Sequence, residues 1–249
     1  MATYREQGIV LRTYKLGETD RILHLLTQGR GKVRAVAKGV RRPGSRFGGR
    51  LEPYSHVDLQ LYEGRNLDVV NQADLIAPHA HIREDFSLSA CAAPMVELVD
   101  LVAQEGERDN RLFLLLRAGL QALDAQPPYP AIFTDALLLR VAAAVGFPVT
   151  VGGCAACRRP GPHAFLSVSR GGLLCVDCAP PGTRAVDDAT VELVRLLASD
   201  EWSALPAAAE DRDRGGVAAS FVRAFVEHHL DRRLRSYEQV PRETGPGPG

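Results

Sequence analysis

Four cysteines stand in two pairs, Cys154-x-x-Cys157 and Cys175-x-x-Cys178, with seventeen residues between the pairs. Each pair can turn two thiolates toward one point, and two such knuckles supply the tetrahedron that zinc takes. Gly152, Gly153, Pro160, Gly161, Gly171, Gly172 and Pro180 surround them and allow tight chain reversal. The spacing predicts one structural Zn²⁺ per chain, with Phe165, Leu166, Val168, Leu173 and Leu174 forming a short ribbon between the knuckles. A pair of disulfides, or a metal site that has decayed, are the other readings of the same residues. Four thiolates close the coordination sphere, so no position remains for an activated water. The His-x-Glu that a zinc deaminase needs before its Pro-Cys-x-x-Cys is absent. His163 lies between the knuckles and reads as a loop residue, with a supporting role at the metal as the alternative.

A second chemistry-bearing stretch runs from Gly29 to Arg50. It carries Arg30, Lys32, Arg34, Lys38, Arg41, Arg42, Arg46 and Arg50 and no acid. Lys32, Arg34 and Lys38 alternate with Val33, Ala35 and Ala37, which predicts a strand with one basic face. After Gly39 the glycines and Pro43 break any regular element, so the remaining arginines are expected on a flexible loop. A basic strand running into a basic loop suits a phosphate backbone. An ordinary solvated charged face is the bland alternative. Arg232, Arg233 and Arg235 form a smaller basic group near the end, suited to an acidic partner or to complementing a helix C-terminus.

Catalytic patterns are missing. There is no Gly-x-x-x-x-Gly-Lys-Ser/Thr loop, no Gly-x-Ser-x-Gly elbow and no His-Glu-x-x-His. Glu18, Asp20 and His24 cluster in sequence, and paired acids can hold a metal in a nuclease; here they read as residues that end a turn and face water. A small metal-dependent nuclease using Glu18 and Asp20 is thus the enzyme alternative. A zinc-ribbon transcription factor is the third, and it needs a recognition helix with base-reading residues that the sequence lacks.

The elements that must position these residues fall into an α+β multidomain order. Residues 1–78 read as five short strands, Tyr4–Thr13, Arg21–Thr27, Gly31–Lys38, Ser55–Tyr62 and Leu67–Ile76, separated by glycine-bearing breaks. Five strands in so short a segment match a closed OB-fold barrel, and an open sheet is the rival; closure removes exposed edges. Residues 79–148 read as helical: Ala92–Gln104 with Pro94 in its first turn or kinking it, a helix through Leu112–Leu123 stopped by Pro127, and Ile132–Val145 closed by Gly146-Phe147-Pro148. Cys91 there reads as a small core residue. The metal element occupies 149–182. Helix returns over 183–240, first capped by Asp187 or Asp188, then, after a linker at Ala204–Gly216, as one long helix Val217–Tyr237 ending in the three arginines. The tail 241–249 is expected to be disordered.

At 249 residues the chain is 45% hydrophobic and carries no net charge. From Met1 to Val70 thirteen Lys/Arg face seven Asp/Glu, so the basic stretch is a local patch on a balanced protein. The charged N-terminus does not resemble a signal peptide and no segment is apolar enough to span a bilayer, so a cytoplasmic protein is expected.

The chain resembles the RecO family, the bacterial recombination mediators. The likeness lies in GIVLRTYKLGETDRILHLLTQGRGKVRAVAKGVRRPGSRFGGRLEPYSHVDLQLYEGRNLDVVNQADL near the start, VGFPVTVGGCAACRR at the first knuckle and HHLDRRLRS near the end. The resemblance implies an N-terminal OB-fold, a helical domain with a Cys₄ zinc element, and no enzymatic activity. It further implies binding of single- and double-stranded DNA, strand annealing, and work with RecR to load RecA onto DNA coated by single-strand-binding protein, in the RecF pathway. The acidic tail of single-strand-binding protein is the partner it suggests for Arg232, Arg233 and Arg235, and the nucleoid is the place.

Overall fold

The computed structural model describes residues 2–205 and 212–241, without the side chains of 212–214. Five strands, β1 (Thr3–Leu16), β2 (Asp20–Thr27), β3 (Gly31–Ala37), β4 (His56–Tyr62) and β5 (Asp68–Ala77), close into a barrel in the order β1-β2-β3-β5-β4. The closing contact is the parallel pairing of β3 with β5, Ala35 opposite Asp68 and Val36 opposite Val69. Closure decides against the open sheet. In β4 the alternation is clean: Val57, Leu59 and Leu61 are fully buried while Asp58 and Gln60 face outward.

β1 behaves differently, because Ile9, Val10 and Leu11 are all buried. Val10 joins Leu23, Leu25 and Leu59 inside the barrel. Ile9 and Leu11 point the other way and join the core of the helical body, as does Leu26 of β2. A strand covered on both faces reads as a continuous apolar run, which is why this segment does not alternate.

The helical body comprises α1 (Ala80–Glu84), α2 (Phe86–Val102), α3 (Asn110–Asp124), α4 (Pro130–Ala144), α5 (Asp188–Ala198) and α6 (Arg212–Leu230). α4 is its axis. It packs on α2, α3, α5 and α6, and every residue from Ile132 to Ala142 is buried. Its buried Arg140 lies over the Trp202 ring at 3.9 Å and donates from Nε to the Leu197 carbonyl at 3.2 Å. The cation thereby meets the electronegative end of α5. Asp187 caps the start of α5, its side chain accepting from the Thr190 amide at 2.8 Å.

Two helix expectations need correction. α2 starts at Phe86, six residues before the expected Ala92, because Asp85 accepts the Leu88 amide at 3.0 Å and caps it there. Pro94 therefore sits inside the helix, where packing of its buried neighbours outweighs the lost backbone bond. The last helix ends at Leu230, not Tyr237. Asp231 adopts φ 48°, and the Arg232 amide turns back to the Glu227 carbonyl at 3.3 Å. That is a left-handed helix stop. Leu234 and Tyr237, which extended the apparent periodicity, are buried from an irregular segment and a 3₁₀ turn at Ser236–Gln239. At its other end this helix takes in 212–216, which the sequence assigned to a linker; 206–211 and the tail 242–249 lie outside the described residues. Cys91 is fully buried in the helical core, as expected.

Candidate metal centre and nucleic-acid interface

The metal element hangs on a hairpin, β6 (Phe165–Ser167) paired with β7 (Gly172–Leu174). Gly172 is required: with φ 158°, an added Cβ would lie 2.1 Å from the Thr150 carbonyl oxygen. The first knuckle closes through the Arg158 amide to the Cys154 carbonyl at 2.8 Å, the second through the Cys178 amide to the Cys175 carbonyl at 3.1 Å. The Sγ atoms of Cys154, Cys157, Cys175 and Cys178 all lie within 4.8 Å of one another. Cys157 and Cys175 Sγ are 3.8 Å apart. A tetrahedron with metal–sulfur bonds of about 2.3 Å has an edge of about 3.8 Å, so the geometry fits one ion. The Cys157 amide, with those of Cys175 and Ala156, lowers the Cys154 thiol to about 5, favouring the thiolate a metal binds. His163 stands aside, its Nε2 2.9 Å from the Arg159 carbonyl oxygen.

The eight cations of the Gly29–Arg50 stretch separate into two groups. The stretch has no acid of its own, yet distant segments supply three. Arg30 lies 3.7 Å from Glu63 and over the Tyr4 ring, and Arg34 Nε is 2.8 Å from Glu105. Lys32 donates from Nζ to the Asp100 carbonyl at 2.6 Å and lies 3.5 Å from its carboxylate. Arg12 joins the same carboxylate at 3.1 Å, with His24 at 3.7 Å. Asp100, in the last turn of α2, is thus a polar fastening point between barrel and helical body. Sequence reasoning missed it; the two acids Glu97 and Asp100 in the otherwise apolar run Met95–Val102 were the available signal.

The second group is Lys38, Arg41, Arg42, Arg46 and Arg50. All five are exposed, and none forms an ion pair among the described residues. They are carried by a segment that the sequence suggested was flexible. Instead it is a chain of tight turns: Arg42 to Gly39, Ser45 to Arg42, Gly48 to Ser45 and Arg50 to Phe47, all amide to carbonyl at 3.0–3.1 Å. Val40, Phe47 and Leu51 point into the barrel core and plug its end. The apolar plug fixes the backbone, and the arginines are left on the rim. Phe47 is 1% exposed and cannot stack on a base, whereas Tyr62 is 38% exposed.

Glu18, Asp20 and His24 do not converge. Asp20 Oδ1 accepts the Gly39 amide and the Thr19 hydroxyl, both at 2.8 Å, which holds its carboxyl below the ordinary range. Among the described residues the four cysteines alone form a metal-competent cluster.

Arg232, Arg233 and Arg235 lie beyond α6. Arg233 reaches Glu238 at 2.6 Å. The amides of Arg235 and Ser236 bind the Glu97 carboxylate at 3.2 and 2.9 Å, and the Ser236 hydroxyl adds a third bond. Burial raises the Glu97 carboxyl, but these three bonds outweigh it and the net shift is downward. The Arg235 side chain borders a groove of about 520 Å³ between barrel and helical body, with Arg12, Tyr14, Tyr54 and Val96.

A closed five-stranded barrel with a cationic rim, fastened to a helical body that carries a four-thiolate centre, defines an OB-type protein with a candidate metal site. The family comparisons are more specific. Residues 1–79 match the model of the recombination protein O N-terminal domain and residues 83–238 that of its C-terminal domain. The chain belongs to the RecO family. It is 43% identical to the DNA repair protein RecO of Cutibacterium acnes, over 97% of this chain and all of that protein. Against the DNA repair proteins RecO of Frankia casuarinae and Streptomyces coelicolor it is 44% and 42% identical, over 97% and 96% of this chain and 100% and 99% of theirs.

Proposed function

We propose that this chain is a non-enzymatic recombination mediator. It binds single- and double-stranded DNA, anneals complementary strands and, with RecR, helps load RecA onto DNA coated by single-strand-binding protein in the RecF pathway on the bacterial nucleoid. The observation that carries the DNA-binding part is the rim of five unpaired cations on an ordered barrel plug. Fixed cations spaced along one edge can follow a phosphate backbone and release its counterions without reading sequence. Screening two backbones at once lets complementary strands approach. Arg30, Lys32 and Arg34 extend the cationic side of β3, but their acidic partners weaken any hold on phosphate.

The thiolate centre holds one Zn²⁺ in a structural role, because four protein sulfurs leave no open coordination position. The arginines after α6 are the proposed contact for the acidic tail of single-strand-binding protein, with charge-assisted forks beside the apolar groove. An acidic tail peptide titrated against an Arg232/Arg233/Arg235→Ala variant tests this; unchanged affinity moves the contact elsewhere.

The decisive experiment is annealing of complementary strands coated by single-strand-binding protein. Faster annealing with the chain supports the proposal, and rates equal to the protein-free control defeat it. Labelled DNA incubated with Mg²⁺ or Mn²⁺ tests the nuclease alternative, which requires cleavage that Glu18→Gln abolishes.

A further inference from the structure

Beside the rim, Arg46, Phe47 and Arg50 form one wall of a notch of about 380 Å³, and Asn71, Gln72, Ala73 and Asp74 of β5 form the other. The arginine wall is pre-ordered. Arg46 lies over the Phe47 ring at 4.8 Å, and Arg50 donates from Nη1 to the Arg46 carbonyl at 2.7 Å. The opposite wall is ordered by its own bonds. Gln72 Nε2 donates to Asp74 Oδ2 at 2.7 Å, and Asn71 Nδ2 donates to Gln60 at 2.9 Å. Each bond takes one of the two N–H donors of its amide, and the second Asp74 oxygen and the side-chain carbonyls of Gln72 and Asn71 are left as acceptors.

Asp74 and the two arginines line the same notch yet form no ion pair with one another among the described residues. The arginine wall thus offers donors only, and the facing wall carries the Asp74 carboxylate, with space between. A ligand that bridges them must offer adjacent acceptors to the guanidinium wall and adjacent donors to the carboxylate wall. A phosphate offers acceptors only and is repelled by Asp74. Among the bases, guanine has the full set: O6 and N7 as adjacent acceptors, the pair an arginine fork matches, and N1–H with the 2-amino group as adjacent donors. Thymine and cytosine lack the N7 acceptor, and adenine presents an amino donor where guanine has O6. The guanidinium plane of Arg46 can also support a base by stacking.

We infer that this notch accepts an unpaired guanine from a single strand whose phosphates lie on the rim. The inference rests on the DNA-binding reading above and adds a base preference to it. Both guanine edges are engaged, so the base must be unpaired: in a duplex N1–H and O6 are already used.

The test is fluorescence anisotropy with the full chain and three strands: oligothymidine, the same strand with one central guanine, and the same strand with one central hypoxanthine, which lacks the 2-amino group. The guanine strand is expected to bind at least about fivefold tighter than oligothymidine, the lower end for one bidentate base contact. Hypoxanthine should fall between. Asp74→Ala, at an exposed position, should abolish the guanine preference and leave oligothymidine affinity unchanged or slightly higher; circular dichroism checks its fold. Equal affinity of the native chain for all three strands overturns the notch and leaves the DNA-binding reading intact. A preference that persists in Asp74→Ala overturns the assignment of the acceptor wall. No binding to any strand defeats both readings.

Discussion

Lys32 of β3 donates to the Asp100 backbone carbonyl at 2.6 Å and lies 3.5 Å from the carboxylate of the same residue. One lysine thus engages both the last turn of α2 and its acid, and the barrel is fastened to the helical body at that point. Lys32→Ala leaves the Asp100 carboxylate with fewer partners in a site only 13% exposed. The expected cost is about 1–3 kcal/mol of stability. Chemical denaturation measures it, and the salt dependence of DNA binding should stay as in the native chain.

The rim makes the opposite prediction. On oligothymidine, where no guanine engages Arg46 and Arg50, five phosphate contacts give a log–log salt slope of about −3.5, at about −0.7 per contact. Arg41→Ala/Arg42→Ala should flatten the slope by about one to two units and weaken binding to every sequence by the same factor. Both side chains are exposed, so the unfolding midpoint should hardly move. A slope and affinity equal to the native values would make the rim a solvated face.

Phe47 links the two behaviours. It is 1% exposed in the barrel and sits between rim arginines in sequence. Phe47→Ala should cost about 3–5 kcal/mol, the range for a buried phenylalanine, and should weaken DNA binding by loosening the turns that carry the cations. Thermal unfolding and the DNA titration should move together, unlike in the arginine variant.

The thiolate centre should yield about one equivalent of metal when the chain is purified without chelator. Cys154→Ser should lower stability and solubility more than it lowers DNA affinity of the folded fraction, because the centre and the barrel rim belong to different cores. Metal-free protein of full stability would defeat this.

His56 supplies a pH dependence. Burial, assisted by Arg117 and His79, lowers its imidazole from 6.5 to about 4. It lies edge-on to Phe113 at 5.6 Å, where barrel and helical body meet. The folded state keeps it neutral while the unfolded chain takes up a proton below 6.5, so its contribution falls as pH drops from 6.5 toward 4 and is level above 6.5. Thermal midpoints across this window should drop less in His56→Leu than in the native chain. Parallel curves would remove His56 as a source.

Local pattern determined much of this protein. Alternation in Val57, Leu59 and Leu61 located β4, the Cys-x-x-Cys spacing located the thiolate cluster, and Asp187 or Asp188 marked the start of α5, which the structure caps with Asp187. Each of these signals is contained within a few turns of chain, so composition and period report it directly. The tertiary structure decided which cations are free. Lys32 and Asp100 are 68 residues apart, and no period within either segment registers the other. It decided that the glycine-rich stretch is an ordered plug, because the burial of Val40, Phe47 and Leu51 depends on barrel closure between β3 and β5. It also decided where the last helix stops: Leu234 and Tyr237 keep a helical spacing in sequence but reach the core after the chain has reversed at Asp231. Burial patterns constrain which residues are covered; the topology chooses what covers them.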